Sequence, residues 1–133
     1  MGHILVTGSS RGIGRAALAA LAARGAAVIG HASRTQPAAA GAPPIIAADF
    51  GDPLSVQDLW DQALDMAGGA IDVVVNNAGR FEANRLDRSG LEWLDAWEDT
   101  LRVNLTSAAQ LSRLAVLHWQ ERGFAGRLVH VAS

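Results

Sequence analysis

Apolar residues in this chain fall into two alternating patterns: short unbroken runs, and longer stretches in which they return every third or fourth position. The runs predict strands over residues 3–7, 26–31, 45–48, 71–75 and 128–131, of which Ile71-Asp72-Val73-Val74-Val75 is the clearest, being short, β-branched and bounded by turn residues. The helical spacing predicts helices over 12–24, with Gly25 as a stop, and from Asp52, with Pro53 in the first turn, to about residue 67. A third helical stretch runs from Leu91 to about Arg122, with a break expected near Trp93–Trp97 and a stop at Gly123. Residues 33–44 carry Pro37, Pro43, Pro44 and Gly41 and read as a loop or a short irregular helix, and the polar residues 80–90 as a loop. Strands alternating with helices of about 12 residues predict right-handed crossovers and an α/β, doubly wound parallel sheet in one domain spanning residues 1–133.

Composition narrows the chemistry. The net charge is −2, with eleven arginines against thirteen acids spread along the chain, so nothing in it favours nucleic acid or an anionic membrane surface. No apolar run approaches the ~20 residues that span a bilayer, the N-terminus lacks the pattern of a secretory signal, and there is no cysteine, so the expectation is a cytoplasmic protein. The chain also contains neither tyrosine nor lysine, so it supplies no phenol and no amine to a mechanism.

The strand His3-Ile4-Leu5-Val6 leads directly into Thr7-Gly8-Ser9-Ser10-Arg11-Gly12-Ile13-Gly14, and a helical stretch follows. A strand feeding a glycine-rich turn and then a helix N-terminus can hold a dinucleotide pyrophosphate, because the backbone approaches the phosphates closely and free N–H groups point at them. The common fingerprint places an acidic residue after the second strand to hold the ribose 2′-hydroxyl. Here that place holds Ala32-Ser33-Arg34. No carboxylate repels a 2′-phosphate there, and the forked donors of Arg11 and Arg34 suit one, which favours NADP over NAD.

These residues carry a resemblance to the short-chain dehydrogenase/reductase family. Thr7 to Gly14 resembles its cofactor turn, Asn76-Asn77-Ala78-Gly79 its second signature, and Asp49-Phe50 its adenine-contacting pair. Val103-Asn104-Leu105, with Trp97 seven residues before the asparagine, resembles its helix asparagine, and Gly126 to Ser133 the strand ending in its catalytic serine. The match runs the length of the chain in order, and Arg11 with Asn104-Leu105-Thr106-Ser107 is most similar to the NADP-dependent 3-oxoacyl-carrier-protein reductases.

The resemblance implies a Rossmann-like sheet truncated after strand five, with NADP as cofactor and a small-molecule carbonyl compound as substrate. It implies a cofactor site formed by Thr7, Gly8, Ser10, Arg11, Gly12, Ile13 and Gly14, by Ser33 and Arg34, by Asp49 and Phe50, and by Asn76, Ala78 and Gly79. In the family's mechanism Ser133 would hydrogen-bond the substrate carbonyl and Asn104 would position a water in a proton relay, while a tyrosine donates the proton and a lysine lowers its pKa. The family's Tyr-x-x-x-Lys lies beyond residue 133. The expectation is therefore a cofactor-binding N-terminal half, inactive alone, of an enzyme that is a homo-oligomer in its full-length form. The alternative is a non-catalytic NADP-binding module or a truncated remnant without activity. His3, His31, His118 and His130 show no metal-ligand spacing and are assigned structural or solvated roles, with no metal site, and Trp93, Trp97 and Trp119 are assigned to packing.

Overall fold

The computed structural model describes residues 2–132. Five parallel strands form one sheet in the order β3-β2-β1-β4-β5. They are β1 (His3–Val6), β2 (Ala27–Ala32), β3 (Ile45–Ala47), β4 (Ile71–Asn76) and β5 (Arg127–His130). Helix α1 (Gly12–Ala23) joins β1 to β2, α2 (Ser55–Met66) joins β3 to β4, and α3 (Gly90–Leu101) and α4 (Ser107–Arg122) lie between β4 and β5. The link from β2 to β3 is a loop, as its prolines predict.

The sheet is covered unequally. On one face Leu5, Ile29, Ile71 and Val74 pack with Val56, Leu59, Trp60 and Ala63 of α2 and with Leu111, Ala115 and Trp119 of α4. The α2 residues recur at i, i+3, i+4 and i+7 and those of α4 at every fourth position, so each helix turns one stripe inward. Trp119 also donates its indole N–H to the Ile71 carbonyl at 2.7 Å, tying α4 to the start of β4. On the other face Val6, Leu18 and Val28 form a smaller buried cluster under α1.

Two expected boundaries move. Asp52 accepts the Leu54 N–H at 2.9 Å in a turn that precedes α2, and the helix itself starts at Ser55. The break in the long helical stretch falls at Arg102–Thr106, where one π-helical turn separates α3 from α4, rather than near Trp93–Trp97. Trp93 and Trp97 instead stack on one another within α3, with ring centroids 5.4 Å apart, and Trp97 stays half exposed.

A nucleotide-sized cavity at the switch point of the sheet

The strand order reverses between β1 and β4, and a crevice opens beyond the carboxyl ends of strands flanking such a switch point. A cavity of about 770 Å³ lies there, walled by the residues that follow β1, β2, β3 and β4. Gly8, Ser10, Arg11, Gly12 and Ile13 come from the turn before α1, Ser33 and Arg34 from the end of β2, Asp49 and Phe50 from the end of β3, and Ala78 and Gly79 from the end of β4. Eleven of the predicted cofactor residues thus meet on one wall, drawn from positions as far as 71 apart in sequence.

Thr7, Gly14 and Asn76 stand behind or beside that wall. Thr7 is buried, and its Oγ1 accepts the N–H groups of Asn77 and Ala78, each at 3.0 Å. Asn77 returns its side-chain N–H groups to the carbonyls of Thr7 (3.1 Å) and Gly8 (3.0 Å), so the two signature segments lock each other's backbone. Gly14 lies where α1 passes over the turn: a Cβ there would collide with the Gly8 carbonyl and the Asn77 amide. Asn76 points into a second, open cavity with Asn104, Ser112 and His130, where its Nδ2 donates to Ser112 Oγ at 3.1 Å. Asn104 spends its side chain on the Arg80 backbone, accepting the N–H at 2.7 Å and donating to the carbonyl at 2.8 Å. Ser133 lies outside the described residues.

The wall suits an anionic dinucleotide. Arg11 occupies the N-cap of α1 without a side-chain capping bond, so the first N–H groups of that helix stay available to a phosphate. Gly12 holds φ at +58°, a left-handed conformation that a Cβ would strain, and the space above it is open. Among the described residues neither Arg11 nor Arg34 has an ion-pair partner, whereas Arg80 is held by Glu82 (2.9 Å) and Asp99 (2.7 Å). Asp49 is the one carboxylate on the described wall. Among the described residues no cluster of His, Asp or Glu is arranged to hold a metal ion, and no helix is long and apolar enough to cross a membrane.

Six wall residues were not singled out as site residues by the sequence, and three of them carry polar side chains: Asn77, Arg80 and His31. The asparagine stands in the second signature, but its bonds to Thr7 and Gly8 appear only in the structure. His31 is buried, with its ring stacked on Phe50 at 4.1 Å and 10°. Burial pushes its imidazole below the usual histidine range, opposed in part by its bond to the Ala48 carbonyl.

Comparison with known proteins agrees with this geometry. The short chain dehydrogenase family profile matches residues 2–133. The chain is 40% identical to the 3-oxoacyl-(acyl-carrier-protein) reductase FabG of Vibrio harveyi and 38% identical to that of Escherichia coli K12, in each case over 97% of this chain and 53% of the relative. A short-chain dehydrogenase/reductase structure from Serratia marcescens superposes with a TM-score of 0.77 at 34% identity, covering 99% of this chain and 57% of that one. The chain thus spans about half the length of the curated relatives it matches. With a parallel sheet in the order 3-2-1-4-5, a glycine turn at its switch point and a family match from residue 2 onward, this chain belongs to the short-chain dehydrogenases.

Proposed function

We propose that the switch-point cavity binds NADP, and that the chain is the cofactor-binding part of an oxidoreductase that reduces a ketone or a 3-oxoacyl carbonyl. The observation that carries the cofactor assignment is the pair Arg11 and Arg34, two cations without ion-pair partners among the described residues, on the wall where NAD-binding turns place a carboxylate. The oxoacyl substrate class rests on the likeness to the FabG reductases and on the resemblance of Asn104 to Ser107. The resemblance also supports a cytoplasmic setting and a homo-oligomeric full-length form.

In this reading the bound nicotinamide supplies the hydride, and the residues of this chain bind and orient it. The α1 N-terminus receives the pyrophosphate, Arg11 and Arg34 receive the 2′-phosphate, and Asp49 accepts from the adenine amino group. Thr7 and Asn77 hold the turn in register with the end of β4.

Titration calorimetry with NADPH and NADH at neutral pH tests the cofactor assignment. NADPH is expected to bind more tightly, and Arg11→Ala with Arg34→Ala to remove about 1–2 kcal/mol of that preference, roughly tenfold, since both arginines are exposed. Equal affinities of the unsubstituted chain for the two cofactors would sink it.

A further inference from the structure

Gly8 donates its backbone N–H to His31 Nδ1 at 3.1 Å, and His31 Nε2 lies 2.7 Å from the Ala48 carbonyl. A carbonyl only accepts, so Nε2 carries the proton; an amide N–H only donates, so Nδ1 is bare. The two contacts together define one neutral tautomer. The ring joins the glycine turn after β1 to the end of β3, and its stacking on Phe50 leaves it little room to turn. Next to it the Ser9 hydroxyl accepts the His31 N–H at 2.9 Å and donates to the His31 carbonyl at 3.2 Å, so backbone and side chain of one residue both fasten the turn.

We propose that His31 is a positioning residue for the dinucleotide: its neutral, Nε2-protonated imidazole sets the Gly8 end of the phosphate-binding turn, and protonation at Nδ1 releases that turn and weakens cofactor binding. This role rests on the nucleotide reading of the cavity. A proton on Nδ1 would face the Gly8 N–H, donor against donor, in a part-buried contact that the present geometry satisfies only with a bare Nδ1. The charged groups on the wall around the ring are Arg11 from the turn, Arg34 after β2, Asp49 after β3 and Arg80 after β4. Among the described residues none of them hydrogen-bonds the ring, and Arg80 is already paired with Glu82 and Asp99. The sign follows from burial. With the clamped ring held below the ordinary value of about 6.5, the released turn binds more protons than the clamped one. The clamp therefore strengthens as pH rises towards that value and is lost as pH falls below it.

The test combines a ligand-free and a binding measurement on the full chain. Nitrogen NMR of the labelled chain follows the His31 ring and the Gly8 amide from pH 8 to pH 5, and calorimetry titrates acid-stable NADP⁺ over the same range. The expected result is the Nε2–H tautomer at neutral pH, a Gly8 amide that moves as His31 titrates, and a loss of affinity as the pH falls from about 7.5 towards 5. His31→Asn keeps an acceptor near Gly8 without a titrating ring, and His31→Phe keeps the stack without either hydrogen bond. Both should show only the shallow dependence of the ligand's own phosphates, and the Phe variant should also bind more weakly at neutral pH. Circular dichroism checks that each variant folds, and the Asn variant decides if the Phe variant does not. An Nδ1–H tautomer, an acid limb equally steep in the variants, or tighter binding at acid pH would each overturn the proposal. Absence of NADP⁺ binding at every pH, with Gly8 still following His31, would instead overturn the nucleotide reading and the positioning role with it.

Discussion

Gly12 and Gly14 are two residues apart and do opposite jobs. Gly12 is a glycine because of its backbone, which sits at φ +58° with nothing within 4 Å of a would-be Cβ. Gly14 is a glycine because of its neighbours, the Gly8 carbonyl and the Asn77 amide. Gly14→Ala must therefore lift α1 off the turn, and is expected to cost about 1–3 kcal/mol of stability in a denaturant melt. Dinucleotide binding should be lost with it, since the α1 N-terminus moves. Gly12→Ala meets no atoms and should cost only the left-handed strain of roughly 1–2 kcal/mol. A Gly14→Ala melt indistinguishable from that of the unsubstituted chain would refute the close packing of α1 on the turn. At this scale the glycine pattern made the turn legible in the sequence, but not which glycine answers to φ and which to packing. His31 was less legible still. Its work is done by two hydrogen bonds to backbone atoms, and such bonds leave no spacing in the sequence.

Helix α3 begins with a capping box: Ser89 Oγ accepts the Glu92 N–H at 3.3 Å and Glu92 accepts the Ser89 N–H at 3.2 Å. That signal stood in the sequence as Ser-x-x-Glu, yet the polar residues around it read as loop up to position 90. The π turn at Arg102–Thr106 had no comparable signal. One residue added to a turn rotates the following stripe by about 100° but leaves the spacing within each helix intact. Periodicity therefore runs smoothly through both helices, although Leu94, Trp97 and Leu101 of α3 are exposed and Leu111, Ala115 and Trp119 of α4 are buried. The turn carries Asn104, whose amide closes two hydrogen bonds on the Arg80 backbone and so fixes the start of the loop between β4 and α3. The Glu82 carboxylate, held below the usual carboxylate range by its hydrogen bonds to Arg88 and Arg80, stays charged and completes that loop's ion pairs. Asn104→Ala is expected to speed amide exchange at Arg80 and the residues after it. The cost in stability should be about 1 kcal/mol or less, since the site is exposed. Unchanged exchange over residues 80–89 would mean that the ion pairs alone hold the loop.

Across the whole molecule, the parallel order and the position of the cavity were legible because alternating strand and helix patterns admit few topologies. The unequal cover of the sheet was legible only as a shortage of helices. The structure locates that shortage around β5: Val129 in the strand and Val131 just after it are each 40% exposed, and Leu105 in the π turn is 62% exposed. The cavity holding Asn76, Asn104, Ser112 and His130 opens on the same side. The two cavities divide the chemistry. The first has the turn, the helix N-terminus and the arginines that a dinucleotide needs. The second has amides, a hydroxyl and an imidazole on its wall, but a chain without tyrosine or lysine cannot give it the phenol and amine that the family's proton transfer requires. Binding and turnover should therefore separate. The 133-residue chain is expected to bind NADPH yet to oxidise it no faster with an acetoacetyl thioester present than without. Loss of a positioned general acid alone removes about 10²–10⁴-fold in rate, and an open substrate side removes the orientation that would compensate. Absorbance of NADPH under excess thioester measures this directly, with calorimetry on the same sample confirming that cofactor is bound. A thioester-dependent turnover near the ordinary enzymatic value of about 10 s⁻¹ would show that another group, such as the His130 imidazole on that cavity wall, delivers the proton.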